Sequence, residues 1–313
     1  VTGRAARAWL DRVMAGRIPT PGRVSLTPML SPKGRLIGDF TVSCLAEDEF
    51  QLTSSYGYQA VHERWLQQHL QDDVEAKNIS DRRTGFQIAG PLARDVLSRV
   101  TRADVSAQAF GFLDVKQMVV GMCDCIVQRL SYTGDLGYEI YTDAMSQRAL
   151  WHALWAQGEA LGMRPFGMRA MMSLRLDKFF GSWLSEYSPD YTAGETGLDR
   201  FIAFDKKSDF IGRAAAEAER AIGAKRKLIV LEIDALDADV VAYEPVWING
   251  TVRGFCTSGG YSHYAQKSIA MALVDAQHLS TDLEVQVEIL GEMRPAKRIT
   301  VPLFDANGHR MRG

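Results

Sequence analysis

Six strand-like runs crowd into the last third of the chain, at 227–233, 240–248, 251–257, 268–274, 283–290 and 297–301. Runs so short and so closely spaced leave no room for crossover helices. That restricts the segment to an all-β barrel or sandwich. The change is abrupt, because an Ala-rich helical stretch at 212–223 stands directly before it. The sequence therefore predicts a domain boundary near 224, with an α+β region at 1–224 and a separate β-barrel domain at 225–313.

The first region reads as two loosely repeated modules. Ala6, Trp9, Leu10 and Val13 share one face of a helix over 4–15. Over 35–46 the pattern changes to strict alternation, with Phe40, Val42 and Cys44 on one side and Asp39, Thr41 and Ser43 on the other. A paired strand at 50–53 and an amphipathic helix at 57–70 follow, and His62 and His69 fall on that helix's face. The second module has a strand at 85–89, a helix at 92–100, strands at 113–120 and 124–131, a hairpin through 132–134, a strand at 137–141 and a helix at 145–161. Strand and helix runs in this order predict α+β subdomains built on antiparallel sheets. A helix at 166–177 and a polar, structureless segment at 181–200 complete the region. The latter is of a length usually reserved for functional loops.

Composition excludes several classes. The chain has 313 residues and a formal net charge of −2, which offers no electrostatic footprint for nucleic acid. No apolar run approaches the roughly 20 residues a membrane helix needs. Cys44, Cys123, Cys125 and Cys256 are too sparse for a disulfide scaffold and suit a reducing compartment, the cytoplasm or a mitochondrial matrix. The six histidines form no i,i+4 ligand pair, so no metal site is expected. There is no phosphate-binding glycine loop, no nucleophile elbow and no dinucleotide fingerprint. The first residue is Val1, and Val1-Thr2-Gly3 reads like the end of a strand, which suggests that opening elements are missing.

Four stretches carry candidate chemistry. In Gly34-Arg35-Leu36-Ile37-Gly38-Asp39-Phe40 an acid interrupts an apolar strand. Asp39 is either a solvent-face acid or an acid lining a cavity, where burial would raise its pKa and make it a usable proton acceptor. In Ser131-Tyr132-Thr133-Gly134-Asp135-Leu136-Gly137-Tyr138-Glu139-Ile140 the glycines permit a tight turn. Aromatic rings and the Glu139 carboxylate can together hold a flat heterocycle. In 166–177 the apolar residues Met168, Met171, Met172, Leu174 and Leu176 nearly surround the helix and predict that it is largely buried. Arg169 and Arg175 on it need partners, either structural salt bridges or an anionic ligand tail. Finally, Gly259-Gly260-Tyr261-Ser262-His263-Tyr264 reads as a turn and an aromatic-rich loop that would cap a pocket or an interface.

Taken in order, these landmarks resemble the glycine-cleavage T-protein (aminomethyltransferase) superfamily. Gly34–Asp39, Gly90-Pro91, Tyr132–Ile140, Asp209-Phe210-Ile211-Gly212-Arg213, Thr257–Tyr261 and Lys267-Ser268-Ile269-Ala270 run over nearly the whole chain with compatible gaps. Ser173–Lys178, Pro189-Asp190-Tyr191-Thr192, Gly197–Phe201 and Pro302–Arg312 resemble its dimethylglycine/sarcosine dehydrogenase branch. The resemblance implies two α+β subdomains and a C-terminal barrel around a central folate pocket. It implies tetrahydrofolate as the cofactor, with FAD confined to an N-terminal flavin dehydrogenase domain that this chain does not contain. It further implies that a one-carbon unit from an N-methyl amine is trapped as 5,10-methylenetetrahydrofolate.

The resemblance matches Asp39 to the acid beside the reactive folate nitrogens, Glu139 to the acid that grips the pterin, and Tyr132 to an aromatic of the same pocket. Arg169 or Arg175 would lie near the pocket or the glutamate tail. The chain departs from the family pattern at Gly38, where a second acid is usual, and at Leu26, where a tyrosine is common. About 50 opening residues of such a domain would precede Val1. A stand-alone folate-dependent aminomethyltransferase or demethylase, and a non-catalytic folate-binding scaffold, stay open as alternatives.

Overall fold

The computed structural model describes residues 1–235, 237–279 and 284–313. They divide into two compact units. One is Val1–Thr27, Phe40–Gly167 and Asn307–Gly313; the other is Pro28–Asp39 and Met168–Ala306.

The first unit opens with α1 (Ala6–Val13), whose predicted inward residues Ala6, Trp9, Leu10 and Val13 are all buried. Strands β1 (Val24–Leu30), β2 (Leu36–Ala46) and β3 (Glu49–Thr53) form a sheet in that order, and the chain passes between the units within β1 and again within β2. Helix α2 (Gln59–Gln68) follows, and His62 packs on Phe40 with ring centroids 4.8 Å apart. Strand β4 (Arg83–Ala89), helix α3 (Ala93–Val100), strands β5 (Val115–Val120), β6 (Cys123–Gln128) and β7 (Gly137–Asp143) and helix α4 (Gln147–Gly158) complete the second module. Its sheet has the antiparallel order β4-β7-β6-β5. Ile88, Val127, Tyr138 and Ile140 from one face of this sheet share a core with Leu97 of α3 and Leu150 and Leu154 of α4. Cross-strand rows of apolar side chains meeting two amphipathic helices account for that layer.

In the second unit, α5 (Met168–Leu176), the short α6 (Ala193–Thr196) and α7 (Arg213–Ile222) precede a closed barrel. Its strands are β8 (Arg226–Ile233), β9 (Pro245–Ile248), β10 (Thr251–Ser262), β11 (Lys267–Asp275), β12 (Val285–Ile289) and β13 (Glu292–Ile299). They close in the order β10-β11-β8-β13-β12-β9. A four-residue helix, α8 (His309–Arg312), ends the chain and belongs to the first unit. All six predicted strands are present; residue 283 of the run 283–290 lies outside the described residues. Leu231, Val246, Cys256, Ala272 and Val287 fill the barrel. On β8 and β11 the alternate residues Val230, Ile269 and Met271 instead meet Leu176. This two-sided burial explains why β11 reads as a continuous apolar run rather than an alternating one.

Several expectations are corrected here. The segment 181–200 is packed and locally helical, not structureless. Trp183, Tyr187 and Tyr191 are buried, and a capping box between Thr192 and Glu195 starts α6. Helix α5 is not largely buried: Arg175 and Leu176 are, but Met168 and Leu174 are exposed. The methionines around the helix are unbranched side chains, tolerated on either surface. Residues 259–262 continue β10, paired through Ser262 with Lys267, so the predicted loop shrinks to a turn at 263–266. Helices α5 to α7 and Pro28–Asp39 belong with the barrel.

One ion pair explains much of that grouping. Arg175 Nη1 lies 2.8 Å from Glu186 Oε2, and both side chains are essentially inaccessible. The guanidinium also donates to the carbonyl of Phe180, while the Glu186 carboxylate accepts from the Thr257 hydroxyl at 2.7 Å and the Ser182 amide at 2.9 Å. The pair ties α5, the 181–200 segment and β10 together. Removing one partner would leave the other charge buried and unmatched. Arg175→Ala is expected to lower stability by about 3–5 kcal/mol in chemical denaturation. Arg175→Met combined with Glu186→Leu is expected to recover most of that loss, since no charge is then stranded.

Candidate functional site

Of the five residues singled out from the sequence, Tyr132 and Glu139 lie in the first unit and Asp39, Arg169 and Arg175 in the second.

Glu139 sits at the middle of β7. Period-2 alternation sends Tyr138 and Ile140 into the helix-covered core, where both are fully buried. It leaves Gly137, Glu139 and Tyr141 on the opposite face. The Tyr141 hydroxyl donates to Glu139 Oε2 at 2.6 Å. Protein atoms crowd the carboxyl, and poor hydration pushes its pKa up, only partly offset by that hydrogen bond. The Tyr141 phenol is pushed well up by the same burial and by the neighbouring acid. Gly85, paired with Tyr141 across β4 and β7, makes room for the ring, because a side chain there would meet its carbons at 2.8 and 2.9 Å.

Tyr132 lies in the connection 129–136 between β6 and β7, a wider bend than the tight turn expected from the glycines. Arg129 anchors this bend. Its buried guanidinium donates to the carbonyls of Met311 at 2.8 Å and Gly313 at 2.7 Å and stacks 5.3 Å from the Tyr138 ring centroid. At the other end Gly137 lets the bend close, since a Cβ there would meet that of Ser131 at 2.8 Å. Tyr132 is half-buried on this anchored loop.

Asp39 in β2 is half-buried, and its strand neighbours Gly38 and Phe40 are buried. Dehydration raises its pKa from 3.8 to about 6, with its own backbone N–H opposing the shift. Of the two readings of an acid in an apolar strand, poor hydration favours the cavity type over a freely solvated face. Arg169 and Arg175 have opposite environments. Arg169 is exposed near the start of α5, whereas Arg175 is engaged by Glu186. The structural salt bridge therefore describes Arg175, and of the two only Arg169 is accessible to an anionic group.

The first unit also holds a cavity of about 490 Å³ lined by Phe40, Thr53, His62, Gly85, Ile126 and Tyr141, among others. Tyr132 and Glu139 do not line it, but Tyr141 connects its wall to Glu139. Sequence reasoning missed Tyr141, Gln87 and Gln128, which share the face of Glu139. For Tyr141 a signal was available, since it stands one strand period from the acid; the two glutamines become neighbours of Glu139 only through the strand pairing.

Residues 1–206 match the family model for the GCVT N-terminal domain, and residues 226–305 match the glycine cleavage T-protein C-terminal barrel domain. The chain belongs to the glycine-cleavage T-protein (aminomethyltransferase) family. It is 38% identical over 306 residues to the mitochondrial dimethylglycine dehydrogenase of Homo sapiens, covering 97% of this chain and 35% of that protein. It is 32% identical over 307 residues to the aminomethyltransferase of Geobacillus sp., covering 97% of this chain and 84% of the relative. The chain thus spans about a third of the dimethylglycine dehydrogenases it matches, but most of an aminomethyltransferase. The structure of aminomethyltransferase T from Bartonella henselae superposes with a TM-score of 0.87 at 21% identity, over 97% of this chain and 83% of that one, so the fold is shared. These T-protein relatives are enzymes. Among the described residues, no helix is long and apolar enough to cross a membrane.

Asp39 gives a test that needs no substrate. Folding raises its pKa, so the native state still holds a proton between pH 3.8 and about 6, where the unfolded chain has released it. Stability contributed by this group therefore falls as pH rises through that window, and the penalty is complete above pH 6. Asp39→Asn should match the wild type below about pH 4 and be more stable by about 1–3 kcal/mol at pH 7, read from denaturation curves across pH.

Proposed function

We propose that this chain binds tetrahydrofolate and transfers to it a one-carbon unit released by oxidative N-demethylation of dimethylglycine or sarcosine. Family membership supports the folate. The extent of the match to dimethylglycine dehydrogenase supports the amine. The observation that carries the reading is the pair of poorly hydrated acids, Asp39 and Glu139, each with a raised pKa. Burial favours the protonated form of both, and it brings Asp39 to about 6, where a carboxyl group can exchange a proton far more readily than an exposed surface acid.

Each candidate residue carries a group that a reduced folate can use. The bond from Tyr141 leaves lone pairs on Glu139 for N–H groups of a pterin edge, and the half-buried Tyr132 ring offers an apolar face. Arg169 is free of the buried ion pair that engages Arg175 and is suited to an anionic tail. Tetrahydrofolate supplies the nucleophilic nitrogen. Asp39 accepts the proton that this nitrogen sheds as its bond to the one-carbon unit forms, and must be ionised to do so. A flavin domain carrying FAD, joined to this chain in the intact enzyme, would supply the oxidation of the amine, and this chain would receive the product. The match to a full-length aminomethyltransferase keeps a second reading in play, a stand-alone folate-dependent transferase acting on another donor.

Calorimetry of the chain with tetrahydrofolate tests the binding, and absence of binding would overturn the reading. For the chemistry, Asp39→Asn in the flavin-containing enzyme should leave amine oxidation intact. Coupled 5,10-methylenetetrahydrofolate formation should fall by about 10²–10⁴-fold, with free formaldehyde rising, at low folate with a trap present. Because the carboxylate is the acceptor, wild-type coupled formation should rise with pH through about 6 and then level off.

A further inference from the structure

Strand β7 lies between β4 and β6, so Glu139 has a direct cross-strand neighbour on each side. Those neighbours are Gln87 and Gln128. Directly paired residues point to the same face with Cβ atoms roughly 5 Å apart, so the three side chains form one row: amide, acid, amide. Gln128 is fully buried. Neither the carboxamide oxygen nor the nitrogen of Gln87 or Gln128 meets a hydrogen-bond partner, although all four atoms are buried. Buried amide groups are almost always paired, and each unpaired one is costly. Two such amides flanking a poorly hydrated acid is not a pattern that core packing produces.

The same pairing sets the rows on either side. On one side the adjoining row is Ala89 and Gly137, both small. On the other it is Gly85, Tyr141 and Ile126, all three of which line the 490 Å³ cavity. The Tyr141 hydroxyl joins the row to the cavity wall through its bond to Glu139, and the apolar core backs the sheet beneath it. Each amide presents a donor and an acceptor, while an ionised Glu139 presents acceptors alone.

We propose that Gln87 and Gln128 are specificity residues: with Glu139 between them they select a flat heterocycle whose edge carries adjoining donors and acceptors, as the amino-lactam edge of a reduced pterin does. The inference rests on the folate reading above and adds to it which edge is read and by which side chains. An acid alone would favour any edge rich in N–H groups. The flanking amides also supply a donor for a ring carbonyl, and so discriminate against a ring bearing an amino group in its place. A site built to hydrogen-bond one group rejects the analogue lacking it, because its own polar atoms are then left unpaired.

The test uses the full chain and two probes, tetrahydrofolate and its 2,4-diamino analogue, with affinities from calorimetry and thermal unfolding of the ligand-free protein alongside. Wild type should prefer the amino-lactam probe. Gln128→Leu and Gln87→Leu should each weaken tetrahydrofolate by about tenfold or more and shrink the preference, while unfolding without ligand occurs at the same or a higher temperature. Gln128→Glu, which keeps the shape and replaces a donor with an acceptor, should shift preference toward the diamino probe, and it serves if a leucine variant does not fold. An unchanged preference in the variants, or a leucine variant that is only less stable, would overturn the inference and leave the folate reading standing. Failure of the wild type to bind tetrahydrofolate would overturn both.

Discussion

The register of β4, β7 and β6 is the constraint on which the first unit depends. Pairing Phe86 with Ile140 and Val127 with Ile140 puts apolar residues against α3 and α4. The same pairing puts Gln87, Glu139 and Gln128 in line on the other face. Because side chains alternate with a period of two, a slip of one residue would bury the acid under the helices and expose Ile140. The hydrophobic cost of exposing that face therefore also enforces the polar row. Core and candidate site are two sides of one pairing pattern.

The second unit solves a different problem. Its barrel leaves few strand edges open, yet the outer faces of β8 and β11 are apolar and need cover. Leu176 supplies part of it, and the buried Arg175–Glu186 pair fixes α5 in place. A buried ion pair is a weak source of net stability against an apolar replacement, but it is directional. Here it specifies which helix and which loop meet β10. That also settles the two helical arginines, since one supports the fold and the other stays in reach of solvent.

Polarity is distributed unevenly as a result. Apolar cores occupy the helix-covered sheet face and the barrel interior. Poorly hydrated titratable groups lie within strands on other faces: Asp39 on β2 in one unit, and Glu139 with Tyr141 on β7 in the other. Burial raises the pKa of each; it brings Asp39 to about 6, favours the neutral form of Glu139 and keeps the Tyr141 phenol protonated as a donor.

Periodicity alone determined a good deal of this molecule. The six barrel strands, the alternation of β2, the inward face of α1 and the two α+β modules follow from local repeats, which hold whatever the partner surface is. The ordered motifs pointed to the T-protein family and picked out Asp39 and Glu139. Tertiary structure decided what local pattern cannot express. That Arg175 is internal and Arg169 exposed depends on Glu186 arriving from a separate loop. That 181–200 is packed depends on Trp183, Tyr187 and Tyr191 finding a surface to bury. That Gln87 and Gln128 flank Glu139 depends on a strand order, β4-β7-β6, that brings together residues far apart in the chain. Each is a pairing between distant residues, and its energy exists only once the chain has closed the intervening loops.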